Sequence, residues 1–347
     1  MRGWFILWLS AVLVAGAAGV SPRTGFELTG ADKGRRARVV IVQDADAIET
    51  FNTRPDRIRA MVNRGLLALT GKSNATTAWL SLVSTQDTVG LKVFSAAGAI
   101  SGTRPAVVAA GVQGLISTGV PPGKIVIWDK HLADLRAAGF ADFERRFGVR
   151  VAGSAEAGYG EKNFYDTPLL GNLIWGDYEF GKKHEGAGRK SFVSKLVSQD
   201  LTKIIMITPL LNHYQAGVIG NLYSLAPGSV DNTLRFESDA TRLADAVPEL
   251  VALPILGDRV ALNIVDALIC QYEGEYHSKL HYSTVLGQLR FSTDPVALDV
   301  LSLKELERQR KAAKLPPLKQ NLDLYRNASW LEVGVSEERL IQVELAP

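Results

Sequence analysis

Short runs of β-branched and aliphatic residues alternate with segments at helical spacing, and that alternation constrains the fold more than any other feature of the chain. Arg38–Gln43 reads Arg-Val-Val-Ile-Val-Gln, a strand. From Asp56 to Thr70 the apolar residues Ile58, Met61, Val62, Leu66, Leu67 and Leu69 recur near the helical period, and Gly71 suits the C-terminal cap. Thr88–Phe94 is a second strand. Thr103-Arg-Pro105 opens a second helix, with Thr103 expected as N-cap and Pro105 in the first turn, running to Gly119. Lys124–Trp128 is a third strand, followed by a short helix, Leu132–Ala138. Strand–helix–strand–helix at this spacing predicts βαβ units and a parallel sheet with right-handed crossovers.

The rest of the chain extends the pattern. The residues predict a short helix over Ser191–Ser198, a strand over Ile204–Ile207 and a helix over Glu237–Val247. A strand Val260–Val265 ends at Asp266. Asp294 caps a helix that starts at Pro295, and Leu322–Leu331 and a last strand, Arg339–Leu345, close the domain. The expected fold is α/β: a single domain over residues 36–347 with a mostly parallel, doubly wound sheet. It carries an irregular insertion, Tyr159–Gly188, rich in Gly, Asn, Asp and aromatics.

The first residues predict a targeting segment. Met1-Arg2 is basic, Trp4–Val14 is apolar except for Ser10, and Ala15–Gly19 is a run of small residues. That is the layout of a secretory signal peptide over residues 1–20, with a polar linker over residues 21–35. The expected location is exported, periplasmic or secreted, with no membrane span once the signal is removed; retention as an anchor is the alternative. The 39 basic and 36 acidic residues give a net charge of +3, without the concentrated basic face of a nucleic-acid-binding protein. The single cysteine, Cys270, lies in an apolar run and reads as a core residue. One thiol excludes an iron–sulfur cluster held by this chain alone, which needs about four ligands.

Open α/β sheets bind ligands beyond the carboxyl ends of their strands. The polar residues expected there are Asp129, Lys130, Thr208, Asn212, His213 and Asp266. Lys92 is unusual inside an apolar strand. With the N-terminus of the helix after Thr103 it would form a site for an anion. His213 is the candidate general acid or base, since its ordinary pKa lies near working pH. Asn212 and Asn221 would orient it or hold substrate. Glu273, Glu275, His277 and His281 form a second cluster; two His at i, i+4 would suit a metal on a helix, but Gly274 favours a loop, and no metal or other cofactor is expected. Asp299, one turn into the helix after Asp294, is either a buried partnered carboxylate or a site residue. Gly71-Lys72-Ser73 is not a phosphate loop: the glycine required five residues earlier is Leu66, and a helix rather than a strand precedes it.

The order of motifs resembles one family. Val89-Gly-Leu-Lys92-Val leads to Gly102-Thr-Arg-Pro105, then to Lys124-Ile-Val-Ile-Trp-Asp129. Ile204-Ile205 through Pro209 to His213 comes next, then Ala216-Gly217 to Asn221-Leu-Tyr223. Leu262-Asn-Ile-Val-Asp266, Ser292-Thr-Asp-Pro-Val-Ala-Leu-Asp299 and Trp330-Leu-Glu-Val-Gly334 complete the series. Over residues 36–345 this resembles the domain of unknown function 362 family. The resemblance implies an α/β domain that in some relatives accompanies ferredoxin-type modules. Relatives commonly carry a Lys shortly before the His and another before the Asn-Leu pair; here Asn212 and Gly220 stand at those places.

The functional expectation is an exported enzyme acting on a small anionic substrate. His213 would transfer a proton, Lys92 and the Thr103 helix end would hold the anion, and Asn212, Asn221 and Asp266 would line the site. The alternatives are a non-catalytic periplasmic protein that binds a small anionic ligand, and a partner of a redox complex.

Overall fold

Continuous apolar strand runs can be buried on both faces only if helices cover both. The structure, a computed structural model, describes residues 36–49, 51–167, 190–237 and 239–346, and shows that arrangement. The central sheet runs in the order Ile341–Ala346, Ala37–Gln43, Ser283–Ser292, Val260–Gln271, Lys203–His213, Val89–Val93, Ile125–Asp129, Arg150–Gly153. Only Ser283–Ser292 runs against the others in this series; the two-residue strand Gly217–Val218 adds an antiparallel hairpin to Lys203–His213. The α/β class and the mostly parallel sheet are as the alternation predicts. The described residues all belong to one compact unit, Ala31–Pro347.

The pleat divides the core in two. Ile205 and Ile207 pack with Ile58, Leu66, Val108 and Val112 of the helices Pro55–Thr70 and Pro105–Ser117. Ile204 and Met206 point the other way, into a core with Leu222, Leu225, Leu243 and Val247 of Asn221–Ser229 and Ala240–Val251. Each fully buried Ile or Leu stabilises the fold by about 1.5–3 kcal/mol relative to exposure. The sheet is therefore doubly wound. Its switch point lies between Val89–Val93 and Lys203–His213: the chain moves outward from the first through Ile125–Asp129 to Arg150–Gly153, then returns to the other side.

Several local expectations are corrected. The central strand is longer than Ile204–Ile207 and runs from Lys203 to His213, straight through Pro209. Proline has no N–H for the ladder. The neighbouring strand responds with a bulge: Asp266 pairs with Pro209, but Cys270 is the next residue in register, with Leu210. Of the expected helix Ser191–Ser198 only the second half is helical, as part of Leu196–Asp200; residues 190–194 form a strand and pair with Tyr159–Asp166 in a separate hairpin. Thus the insertion begins as a strand, Tyr159–Asp166, whose partner lies just beyond it; residues 168–189 lie outside the described residues. Arg150–Gly153 and Ser283–Ser292 are strands without a sequence-based expectation. In the latter, Gly287 and Arg290 interrupt any continuous apolar run, and only the sheet context defines it.

The expected signal peptide and linker, residues 1–35, lie outside the described residues. No described helix is long and apolar enough to cross a membrane.

Candidate functional site

Two of the expected site residues are consumed by the fold at the end of the second strand. Lys92 is fully buried. Its Nζ donates to Asp129 Oδ1 at 2.7 Å, to the Val93 carbonyl at 2.7 Å and to Ser224 Oγ at 3.0 Å. All three ammonium protons have acceptors. Asp129 Oδ2 accepts from the Ser95 N–H at 2.7 Å and the Ser95 hydroxyl at 2.6 Å. Burial pulls the Lys92 pKa down and Asp129 opposes that pull. Burial alone would raise Asp129, but Lys92 and Ser95 outweigh it and hold the carboxyl below its ordinary value. Lys92 is the cation of an internal ion pair.

The expected anion site at the helix Pro105–Ser117 is likewise filled from within. Thr103 does not cap it; Arg104 occupies the cap position. Thr103 Oγ1 instead donates to the Ile207 carbonyl at 2.7 Å and accepts from the Phe94 N–H at 2.9 Å, tying two strand ends together. The anion at the helix end is Asp266. Its Oδ2 accepts from the Arg104 N–H at 3.0 Å, and its Oδ1 from the Arg104 guanidinium at 2.9 Å, with both side chains buried. The bulge opposite Pro209 sets the place of this carboxylate.

The helix Asn221–Ser229 repeats the device. Asp299 Oδ1 accepts from the Asn221 N–H at 2.7 Å and from Asn221 Nδ2 at 2.8 Å, and Oδ2 from the Leu222 N–H at 3.0 Å. Gly220, with φ of 51°, passes so close that a Cβ there would meet Asp299 Oδ1 at 2.6 Å. Complete burial pushes the Asp299 carboxyl up to about 7 despite these donors. Asn221 is thus a buried structural residue. Asp294 is the N-cap that the sequence predicts, accepting from the Ala297 N–H at 2.9 Å.

His213 is buried at the end of the central strand. Its Nδ1 accepts from the Ala216 N–H at 3.0 Å and the Gln215 N–H at 3.3 Å, so the neutral ring carries its proton on Nε2. Nε2 lies 3.3 Å from the Tyr276 hydroxyl. Tyr276 hydrogen-bonds in turn to the Tyr223 hydroxyl, which donates to Glu237 Oε1 at 2.8 Å. With each group donating to the next, the line runs His213, Tyr276, Tyr223, Glu237. Desolvation lowers the His213 pKa to about 4. Burial first, then the Glu237 charge, raises Tyr223 and keeps its proton in place. Asn212 lies beside His213, fully buried, with Oδ1 accepting from the Glu275 N–H at 3.3 Å.

This line opens onto a cleft of about 270 Å³ beyond the carboxyl ends of the strands, beside the switch point. It is lined by Phe94, Ala96, Asp129, Lys130, His131, Tyr223, Thr233, Glu237 and Tyr276, among others. Tyr276 as a whole is 38% exposed. Among the described residues Lys130, the first residue after the strand Ile125–Asp129, reaches only the Asp231 carbonyl and Thr233 Oγ1, both at 3.4 Å. Among the described residues no carboxylate lies within ion-pair distance of it. Burial depresses its pKa, partly offset by Glu237 and Asp231. Of the expected residues, Lys92 and His213 come near this cleft but have their polar atoms occupied; Thr103, Asn212, Asn221 and Asp266 are built into the scaffold. Tyr223, Glu237 and Tyr276 carry no spacing signal in the sequence. Lys130 does, as a strand-end residue.

His277 and His281 sit in the loop and short turn after Gln271 rather than on an α-helix, and His281 stacks on Tyr282 at 4.2 Å between centroids. Among the described residues no group of three His, Cys, Asp or Glu side chains is placed to hold a metal ion. Cys270 is buried, and desolvation raises its thiol well above the ordinary range.

No family model matches the chain, and no curated protein matches it. Its structure is similar to the crystal structure of a protein from Thermotoga maritima, a structural-genomics target, with a TM-score of 0.42 and 12% identity over 77% of this chain. The chain spans 61% of that protein's length.

Proposed function

We propose that the chain takes a small anionic ligand into the switch-point cleft and acts on it by proton transfer. The observation that carries this reading is the position of Lys130. It is a poorly solvated cation, without a carboxylate partner among the described residues, on the wall of a cleft lined by two tyrosines. A carboxylate or phosphate ester would pair with it at closer range than Glu237, Asp231 and Asp129, whose charges offset part of its desolvation. Tyr276 would then take a proton from the ligand while its own passes through Tyr223 to the Glu237 carboxylate, the acceptor at the end of the line. His213 would be a positioning group rather than the base, since Nδ1 is occupied by backbone N–H groups and Nε2 donates to the Tyr276 hydroxyl.

A non-catalytic binding protein is the second reading, favoured by the internal satisfaction of Lys92 and His213. One experiment separates the two. Thermal shifts are measured with a panel of small carboxylates and phosphate esters, and each stabilising compound is assayed for turnover. Catalysis predicts that Lys130→Met removes the shift, while Tyr276→Phe keeps it and loses turnover. Binding alone predicts shifts without turnover by any variant. Shifts that survive Lys130→Met unchanged would remove the cleft as the site.

A further inference from the structure

The loop between the strands Val260–Gln271 and Ser283–Ser292 carries Tyr276 to the wall of the switch-point cleft. Both sides of this loop are anchored without Tyr276. At its start, Arg310 Nη1 donates to the Tyr272 carbonyl at 2.8 Å and to Glu273 Oε2 at 2.6 Å. On its return, the Gln271 side-chain amide donates to the His277 carbonyl at 2.8 Å and accepts from the Lys279 N–H at 3.1 Å.

Between these anchors Glu275 stands in the left-handed region, with φ of 51°. A glutamate is uncommon there, and its backbone is held against strain by its surroundings. Two bonds do the holding. The Glu275 N–H donates to Asn212 Oδ1 at 3.3 Å, and its carboxylate accepts from the Tyr214 N–H. Asn212 is fully buried, and this is the one hydrogen bond its side chain makes among the described residues. Glu275 thus grips the residues on either side of His213, and the residue after it is Tyr276. The Tyr276 hydroxyl is set 3.3 Å from His213 Nε2 and bonds to Tyr223, and its ring centroid lies 5.8 Å from that of Phe94.

We infer that Glu275 is a positioning residue, whose grip on Asn212 and Tyr214 fixes Tyr276 against His213 and Tyr223. The inference rests on the reading that Tyr276 takes the ligand's proton in this cleft, and it adds the group that holds that hydroxyl in place. The anchors at Arg310 and Gln271 keep the loop on the protein without Glu275, so the grip serves placement rather than attachment. Side-chain reach separates the two roles. Asparagine tolerates the left-handed backbone but is one methylene shorter than the side chain that meets the Tyr214 N–H. Glutamine keeps both the length and an acceptor oxygen.

The test follows the His213 ring Nε2–H by heteronuclear NMR on the whole chain, with Tyr276→Phe giving the signal of the ring without its acceptor. Glu275→Asn should move the signal most of the way to the Tyr276→Phe position. Glu275→Gln should leave it at the parent position, and both Glu275 variants should melt within a few degrees of the parent. With an anion that the parent turns over, Glu275→Asn should lower kcat by about tenfold to a hundredfold at unchanged KM, since Lys130 still holds the anion, and Glu275→Gln should keep parent activity. A ring signal unmoved in Glu275→Asn, or moved equally in Glu275→Gln, would overturn the inference whatever the cleft binds. A signal moved in Glu275→Asn alone, with turnover unchanged, would support the positioning and remove Tyr276 from the reaction.

Discussion

Asp266 holds Arg104 at two points, its Oδ2 on the backbone N–H at 3.0 Å and its Oδ1 on the guanidinium at 2.9 Å. A helix N-terminus followed by an arginine would attract a bound anion; here a carboxylate of the chain itself takes that place. Asp266→Ala should destabilise the protein by about 3–5 kcal/mol, since it strands a buried cation. Denaturant unfolding would measure the loss. The same variant should be stabilised by millimolar sulfate more than the parent is, because the vacated helix end can then accept an external anion. An equal sulfate response from both proteins would show that this end is not an anion site.

The Lys92–Asp129 pair makes a different forecast. Lys92→Met leaves Asp129 buried without its cation and should cost about 3–5 kcal/mol. Replacing both, as Lys92→Met with Asp129→Leu, should restore much of that, because neither charge then remains in the core. If the double variant is less stable than both single ones, the pair is not acting as a coupled unit.

Gly228 lies against this pair. A Cβ at that position would stand 2.5 Å from Lys92 Cε and 2.9 Å from its Nζ. Gly228→Ala should therefore destabilise by about 1–3 kcal/mol, as overpacking does, although alanine is the better helix former. A neutral or stabilising result would mean that Lys92 can move aside.

His213 and Asp299 predict opposite pH slopes. The His213 pKa is lowered to about 4 from 6.5, so its contribution is present above about pH 6.5 and is lost as pH falls toward 4. The Asp299 pKa is raised to about 7 from 3.8, so its contribution is complete below about pH 3.8 and is lost as pH rises through 7. Between pH 4 and 7 the two partly cancel. His213→Gln should remove the acid-side loss, and Asp299→Asn the loss on approach to neutrality. Melting temperatures at half-unit pH intervals for the parent and both variants would show whether the slopes separate in those directions.

Most of the scaffold was legible because it depends on local pattern. Alternating strand and helix periods in residues 38–139 sufficed for the parallel sheet, and Gly71 and Asp294 cap their helices as read. The site was less legible because charge pairing is non-local. Lys92 was conspicuous as a lysine in an apolar strand, but Asp129, its partner, stands 37 residues away and Ser224 132 residues away. Asp266, Asp299 and Asn221 belong to motifs that read as chemistry; in the fold they close helix ends. Tyr276 lies in a segment that reads as a cluster of acids and histidines, and nothing in the sequence pairs it with Tyr223. Lys130 was visible as a strand-end residue but was less conspicuous than Lys92, since only tertiary structure distinguishes a paired lysine from an unpaired one.

Pro209 divides the central strand into two pieces of unequal cooperativity. Lys203–Ile207 is clamped between Val89–Val93 and Val260–Ile264. Past the proline, Leu210 and Leu211 meet only Cys270 and Gln271 on that side, and Asn212 and His213 pair with the hairpin Gly217–Val218. The distal piece can unzip without dissolving the sheet, as a low-energy opening unit within a rigid body. Amide hydrogens of Ile204–Ile207 should exchange only with global unfolding, and those of Asn212 and His213 orders of magnitude sooner. Uniform protection along the strand would contradict this division. The histidine that donates to Tyr276 would then sit on the part of the strand that breathes, and that contact would be made and broken on the timescale of the opening.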